Sequence, residues 1–210
     1  NLWYEAPVKN WHAMYGGKLR GIINKLQYIK DLGVDIIYMT PIFLSGSNHK
    51  YDTTDYFMID PGFGTKEDLA ELVEKAHSLG MYVLLDGVFN HTGKNFFAFL
   101  DLQEKGEESA YKDWYYPKSF PLVSEFGKKP NYLCFGYYGG MPKLNTSNQE
   151  VREYIYKVVT YWMKECGIDG WRLDVGDEIS HGFWKWFRKE VKAFKEDALI
   201  VGENWFYAPA

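Results

Sequence analysis

The chain has 210 residues, a formal net charge of −4 and a 19% aromatic content, with acidic and basic side chains mixed along its length. That length buries a sizeable core but falls short of the about 250 residues of a closed (β/α)8 barrel. No basic stripe is present to follow a phosphate backbone, which excludes nucleic acid as a partner, and no apolar run reaches the roughly 20 residues of a membrane span.

In chain order, Leu19, Ile22, Ile23, Leu26, Ile29 and Leu32 recur at helical spacing, Gly33 follows as a stop, and Val34 to Met39 read as a strand ending at Thr40-Pro41. Thr65 with Asp68 resembles a capping box; Leu69, Leu72, Val73, Ala76 and Leu79 form a stripe, Gly80 ends it, and Tyr82 to Leu85 form the next strand. A third unit starts at Ser147 with Glu150 as box partner, continues through Val151, Ile155, Val158, Val159 and Trp162 to Cys166-Gly167, and leads to the strand Ile168 to Leu173. In the fourth, Phe183, Trp186, Phe187, Val191 and Phe194 mark a helix before the strand Leu199 to Val201. Four helix-then-strand units with nearly continuous apolar strands predict a parallel sheet covered by helices; periodicity alone leaves a barrel and a doubly wound sheet both open.

Residues 92–145 break this rhythm and are too long for an ordinary βα loop, so they are predicted to form a small inserted subdomain above the sheet, between barrel segments 1–91 and 146–210. Cys134 and Cys166 lie far apart, with no spacing that suggests a zinc site or a disulfide framework. The aromatic residues divide between a large core and a cleft whose rings lie against flat faces of a ligand.

Each strand ends in a polar cluster: Asp86 to His91, Arg172 to Asp174, and Glu203-Asn204. The C-terminal ends of parallel strands are where α/β enzymes put catalytic groups. Asp174 and Glu203 are one βαβ repeat apart, which brings two carboxylates to one cleft, an arrangement suited to glycosidic bond cleavage. Their carboxyl groups are expected about 5 to 5.5 Å apart for a retaining reaction, or up to about 7 Å in a relaxed empty site. Arg172, two residues before Asp174, shares its strand face and predicts an ionised Asp174; the apolar Trp205 and Phe206 predict a raised pKa for Glu203.

Asp86-Gly-Val-Phe-Asn-His91, Gly170-Trp-Arg-Leu-Asp174 and Gly202-Glu-Asn-Trp205, in this order and spacing, resemble three short regions of the α-amylase superfamily, glycoside hydrolase family 13. Met141-Pro-Lys-Leu-Asn145 is similar to the segment that marks its neopullulanase, cyclomaltodextrinase and maltogenic amylase branch. The resemblance implies a partial (β/α)8 TIM barrel, about strands two to five, with a domain-B-like insertion after the third strand. It implies a retaining α-glucan hydrolase acting on maltooligosaccharides, cyclodextrins or pullulan. Asp174 is then the nucleophile, Glu203 the general acid/base and Arg172 the residue that orients Asp174. Asp86 supports the strand end and Arg172, while Tyr51, His91, Glu178 and Trp205 line the substrate site.

Some positions depart from the family pattern. Val175-Gly-Asp-Glu178 replaces the usual Val-Ala-Asn-Glu, which leaves the balance of α-1,4 and α-1,6 cleavage open. Calcium-dependent members place a histidine where Glu178 stands and an aspartate where Asn145 stands; Asn90 alone matches, so no cofactor and no calcium are expected, Glu178 being the carboxylate still able to bind a hard cation. The third family aspartate finds no counterpart. The resemblance therefore implies an inactive fragment that self-associates through open sheet edges, from a cytoplasmic parent. The other readings are a glycosyl-transferring member and a non-catalytic amylase-like homologue, although such homologues usually lose the carboxylates kept here.

Overall fold

The computed structural model describes residues 17–123 and 127–206. Four strands, β1 (Ile36–Tyr38), β4 (Tyr82–Gly87), β5 (Gly170–Leu173) and β6 (Leu199–Gly202), form one parallel sheet in that order. Spatial order follows chain order with no reversal. That is the arc of a barrel rather than the switch point of a doubly wound sheet.

Each sheet strand follows a helix with an apolar stripe: α2 (Leu26–Asp31), α3 (Lys66–Ser78), α5 (Gln149–Glu165) and α6 (His181–Phe194) precede β1, β4, β5 and β6. Thr65 caps α3 in a complete capping box with Asp68, as the sequence predicts. Gly33 and Gly80, at φ 82 and 68, adopt the left-handed turn their stop positions require. The expected single helix over 19–32 is two: α1 (Leu19–Ile23) ends at Asn24, and Lys25 (φ −115, ψ 5) leaves the helical region before α2 begins. The weak helix formers Gly21 and Asn24 account for a break there. The cap of α5 is Asn148, whose side chain accepts from the Val151 N–H, not Ser147. The Glu150 carboxylate instead accepts from Trp114 Nε1 at 2.8 Å.

Between β1 and α3 lies an antiparallel hairpin that the sequence reading did not anticipate, β2 (Phe43–Ser45) with β3 (Thr53–Ile59). It is held to the barrel by Trp162 of α5, whose indole donates to the Tyr56 carbonyl at 2.8 Å and stacks on Phe43 at 5.2 Å. Residues 92–145 contain the helix α4 (Phe97–Lys105) and join the strand ends through isolated bridges such as His91 with Lys143.

The sheet tolerates no bulk at Gly170, where an added Cβ would lie 1.8 Å from the Leu199 carbonyl oxygen on the neighbouring strand. At Gly182 in α6 the nearest atom to an added Cβ is 3.9 Å away. Gly170→Ala should therefore destabilise by at least the about 1–3 kcal/mol of an overpacked core, whereas Gly182→Ala should be neutral or stabilise by up to about 1 kcal/mol. Chemical denaturation of the two variants checks this; equal midpoints would contradict the strand packing described.

Candidate active site

The β4–β5 register sets Asp86 directly beside Arg172, so their side chains leave adjacent strands at one level. Arg172 Nη1 donates to both Asp86 oxygens at 3.0 and 2.8 Å and to Asp174 Oδ1 at 2.8 Å. Its Nη2 lies 2.7 Å from Glu203 Oε1. One guanidinium thus holds three carboxylates from three successive strand ends. The expected contact between Arg172 and Asp174 is present.

A tight turn completes this arrangement. Val175, immediately after Asp174, adopts a left-handed conformation (φ 46, ψ 50), which is strained for a β-branched residue. Glu203 offsets that strain: its Oε2 accepts from the Val175 N–H at 3.0 Å and its carbonyl accepts from the Gly176 N–H at 2.8 Å.

The two carboxyl groups titrate opposite to expectation. Burial, then the negative charge of Asp86, pushes Asp174 up to about 7 despite the opposing pull of Arg172. Arg172 made a low value look necessary, but the burial of Asp174 outweighs it. Burial raises Glu203, but the Val175 N–H, a hydrogen bond with Trp205 and the charge of Arg172 outweigh it and hold the group below its ordinary value. The predicted apolar wall is not there, because Trp205 and Phe206 are 63% and 79% exposed. Burial also raises Asp86, to about 6, against the pull of its hydrogen-bond donors.

Two tyrosines face Asp86. Tyr51 donates to Oδ2 at 3.4 Å, and Tyr38, which sequence reasoning missed, donates to the same oxygen. The Arg172 guanidinium lies over the Tyr38 ring at 5.6 Å. Tyr38 ends β1 in an otherwise apolar run, and nothing in that run distinguishes it from a packing residue.

His91 is placed beside the site but is fully buried. Its Nε2 donates to the Tyr51 carbonyl at 3.1 Å, Nδ1 faces the Asn90 amide at 3.4 Å, and Phe135 stacks on the ring at 4.9 Å. Burial pulls its pKa down to about 4, so it is neutral. In this arrangement His91 holds the Tyr51 backbone.

Glu178 lies outside the Arg172 cluster, where it accepts from Asn90 Nδ2 at 2.9 Å and from Lys143 Nζ at 3.1 Å. Lys143 Nζ also donates to Asn90 Oδ1 at 2.6 Å. Asn145 is engaged elsewhere, by the Tyr116 hydroxyl and the Asp113 carbonyl. An ammonium thus sits between the side-chain oxygens of Asn90 and Glu178. Trp205 stands at the rim, edge-on to Phe135 at 6.1 Å.

Sequential parallel strands, helices on one side and an acidic cluster around a guanidinium at the strand ends define a barrel-type α/β protein with its site at the C-terminal face. The chain belongs to the α-amylase catalytic-domain family, whose description matches residues 4–209. It is 53% identical over 201 residues to a maltogenic α-amylase from Bacillus acidopullulyticus, covering 96% of this chain and 33% of that protein. It is 50% identical over 204 residues to neopullulanase 2 from Thermoactinomyces vulgaris, covering 97% and 34%. The solved type III pullulan hydrolase from Thermococcus kodakarensis superposes with a TM-score of 0.89 at 44% identity, over 98% of this chain and 36% of that one. The chain spans about a third of the length of the curated relatives it matches.

Because the charge of Asp86 raises Asp174, Asp86→Asn should lower the Asp174 titration midpoint, an effect strengthened by a guanidinium freed to pair with Asp174. A carboxyl carbon NMR titration of the two proteins measures it. An unchanged or higher midpoint in the variant would contradict the assignment.

Proposed function

We propose that these residues form the nucleophile and acid/base part of a retaining α-glucan hydrolase. The observation that carries the reading is the single guanidinium shared by Asp174 and Glu203, 2.8 and 2.7 Å from their oxygens. It brings two carboxylates on adjacent strands to one reaction centre, the pairing that glycosidic cleavage demands.

In the first step an Asp174 oxygen attacks the anomeric carbon while Glu203 transfers its proton to the departing glycosidic oxygen. In the second, Glu203 takes a proton from water as that water displaces Asp174. The pair holds one proton in the reactive state, which must reside on Glu203. In the free site the environment favours it on Asp174, so substrate binding has to reverse that preference. Insertion of the glycosidic oxygen beside Glu203 supplies a reason for the proton to move.

Tyr51 is proposed to lie against the sugar at the cleaved bond, with Trp205 offering an exposed ring further along the cleft. Glu178 belongs to the wall of that cleft. The names of the relatives, a maltogenic α-amylase, a neopullulanase and a pullulan hydrolase, support α-glucans as the substrate class. A cytoplasmic setting is part of the proposal, supported by the name of a relative 49% identical over 194 residues, the intracellular maltogenic amylase of Bacillus subtilis. Among the described residues no helix is long and apolar enough to cross a membrane.

In the longest reading frame containing these residues, Asp174→Asn and Glu203→Gln should each lower turnover of maltotriose or a cyclodextrin by about a hundredfold or more with substrate binding retained. Turnover within about tenfold of wild type in either variant would overturn the assignment. Calcium chelation should leave the rate and melting temperature of the same protein unchanged, because Lys143 already supplies the cation beside Asn90 and Glu178. A chelator-dependent loss restored by calcium would show that this ammonium does not substitute for a metal.

A further inference from the structure

Directly behind Tyr51 lies a buried ion pair that the proposed chemistry does not use. Lys50 is 4% exposed, and its ammonium sits 2.6 Å from Asp60 Oδ2 while donating to the Ser45 carbonyl at 3.1 Å. Ser45 ends β2 and Asp60 follows β3, so this one ammonium ties both strands of the hairpin to the loop that joins them. The other Asp60 oxygen accepts from the Gly62 N–H at 2.9 Å, which fixes the acid in turn.

The backbone at Lys50 is itself unusual. Its φ of 68 lies in the left-handed region, where glycine is the residue of least cost. A lysine there carries local strain that its surroundings must hold in place, and such positions cluster at functional sites. The consequence of this turn is directional. Lys50 points into the hairpin, while the next residue, Tyr51, sends its hydroxyl to Asp86 and its carbonyl to His91. At the far side of the loop the Ser45 and Ser47 hydroxyls both donate to the Asp52 carboxylate, and the Lys50 N–H donates to Ser47 Oγ at 3.1 Å. The loop is therefore fixed on both sides of Tyr51, by Asp52 and by the Lys50–Asp60 pair.

We propose that Lys50 is a positioning residue whose buried ammonium, neutralised by Asp60, holds the left-handed turn that presents Tyr51 to Asp86 and to the substrate. This rests on the proposed role of Tyr51 at the sugar. A buried pair whose only task is stability can often be replaced by uncharged side chains with little loss, whereas a pair that aims a substrate-contacting ring cannot.

The test uses the double variant Lys50→Met/Asp60→Asn, which removes both charges together and leaves neither unpaired. In the longest reading frame containing these residues, kcat/KM should fall by on the order of tenfold with the melting temperature little changed. In a Tyr51→Ala background the same pair of substitutions should cause no further loss, because the two act through one contact. Wild-type kcat/KM in the double variant, or a full additional loss on top of Tyr51→Ala, would overturn the positioning role. A silent Tyr51→Ala would overturn the reading of Tyr51 and this inference with it; a costly Tyr51→Ala with a silent double variant would overturn only the inference. Should the double variant fail to fold, Asp60→Glu retains the pair but shifts its acid by one methylene. It should lower kcat/KM only when Tyr51 is present, and a loss that persists in Tyr51→Ala would overturn the proposal.

Discussion

The site depends on a guanidinium that has more partners than it can neutralise. Arg172 meets Asp86, Asp174 and Glu203 at the ends of three neighbouring parallel strands, with Asp86 and Asp174 buried and Glu203 partly exposed. One positive charge serves three carboxylates, and burial raises the two acids it covers most, with Asp174 raised further by the charge of Asp86. Asp86 and Asp174 rise to about 6 and about 7, while the more exposed Glu203, with a backbone N–H to accept from, stays low. The parallel register places Asp86 and Arg172 side by side across β4 and β5. The helices that precede each strand are the scaffold that fixes that register.

Much of this was legible in the sequence because it rests on local rules. The Thr65 capping box, the stops at Gly33 and Gly80, and the apolar stripes of α3, α5 and α6 follow from periodicity and turn chemistry within a few residues of one another. The carboxylates could be found because parallel strands present polar residues at their C-terminal ends. What escaped depends on contacts distant in the chain. Tyr38 acquires its role only when β1 lies beside β4. The pKa order of Asp174 and Glu203 reverses because Asp174 is buried beside Asp86 while Glu203 accepts from the Val175 N–H and bonds with Trp205. The contacts of His91 with the Tyr51 carbonyl and the Phe135 ring likewise join residues far apart in the chain.

The long stretch between β4 and α5 illustrates the same division. Its irregular composition marked it as a departure from the repeating units, but not what it would touch. In the structure its two ends return to the strand face: the residue opening it follows His91, which is bridged to Lys143, and Lys143 reaches Asn90 and Glu178. A lysine thereby joins the insertion, the end of β4 and the loop after β5 with one charged group. Phe135 from the same stretch stacks on His91 and meets Trp205 edge-on, so the insertion packs against residues at the strand ends.

The central claim is that Asp174, though raised by its surroundings, is the group that attacks the sugar. The most direct measurement is to treat the longest reading frame containing these residues with a fluorinated maltosyl fluoride, which forms the glycosyl-enzyme quickly and loses it slowly, and to map the labelled peptide by mass spectrometry. The account predicts a single glycosyl adduct on the carboxylate of Asp174. An adduct on Glu203 or on any other residue would contradict it.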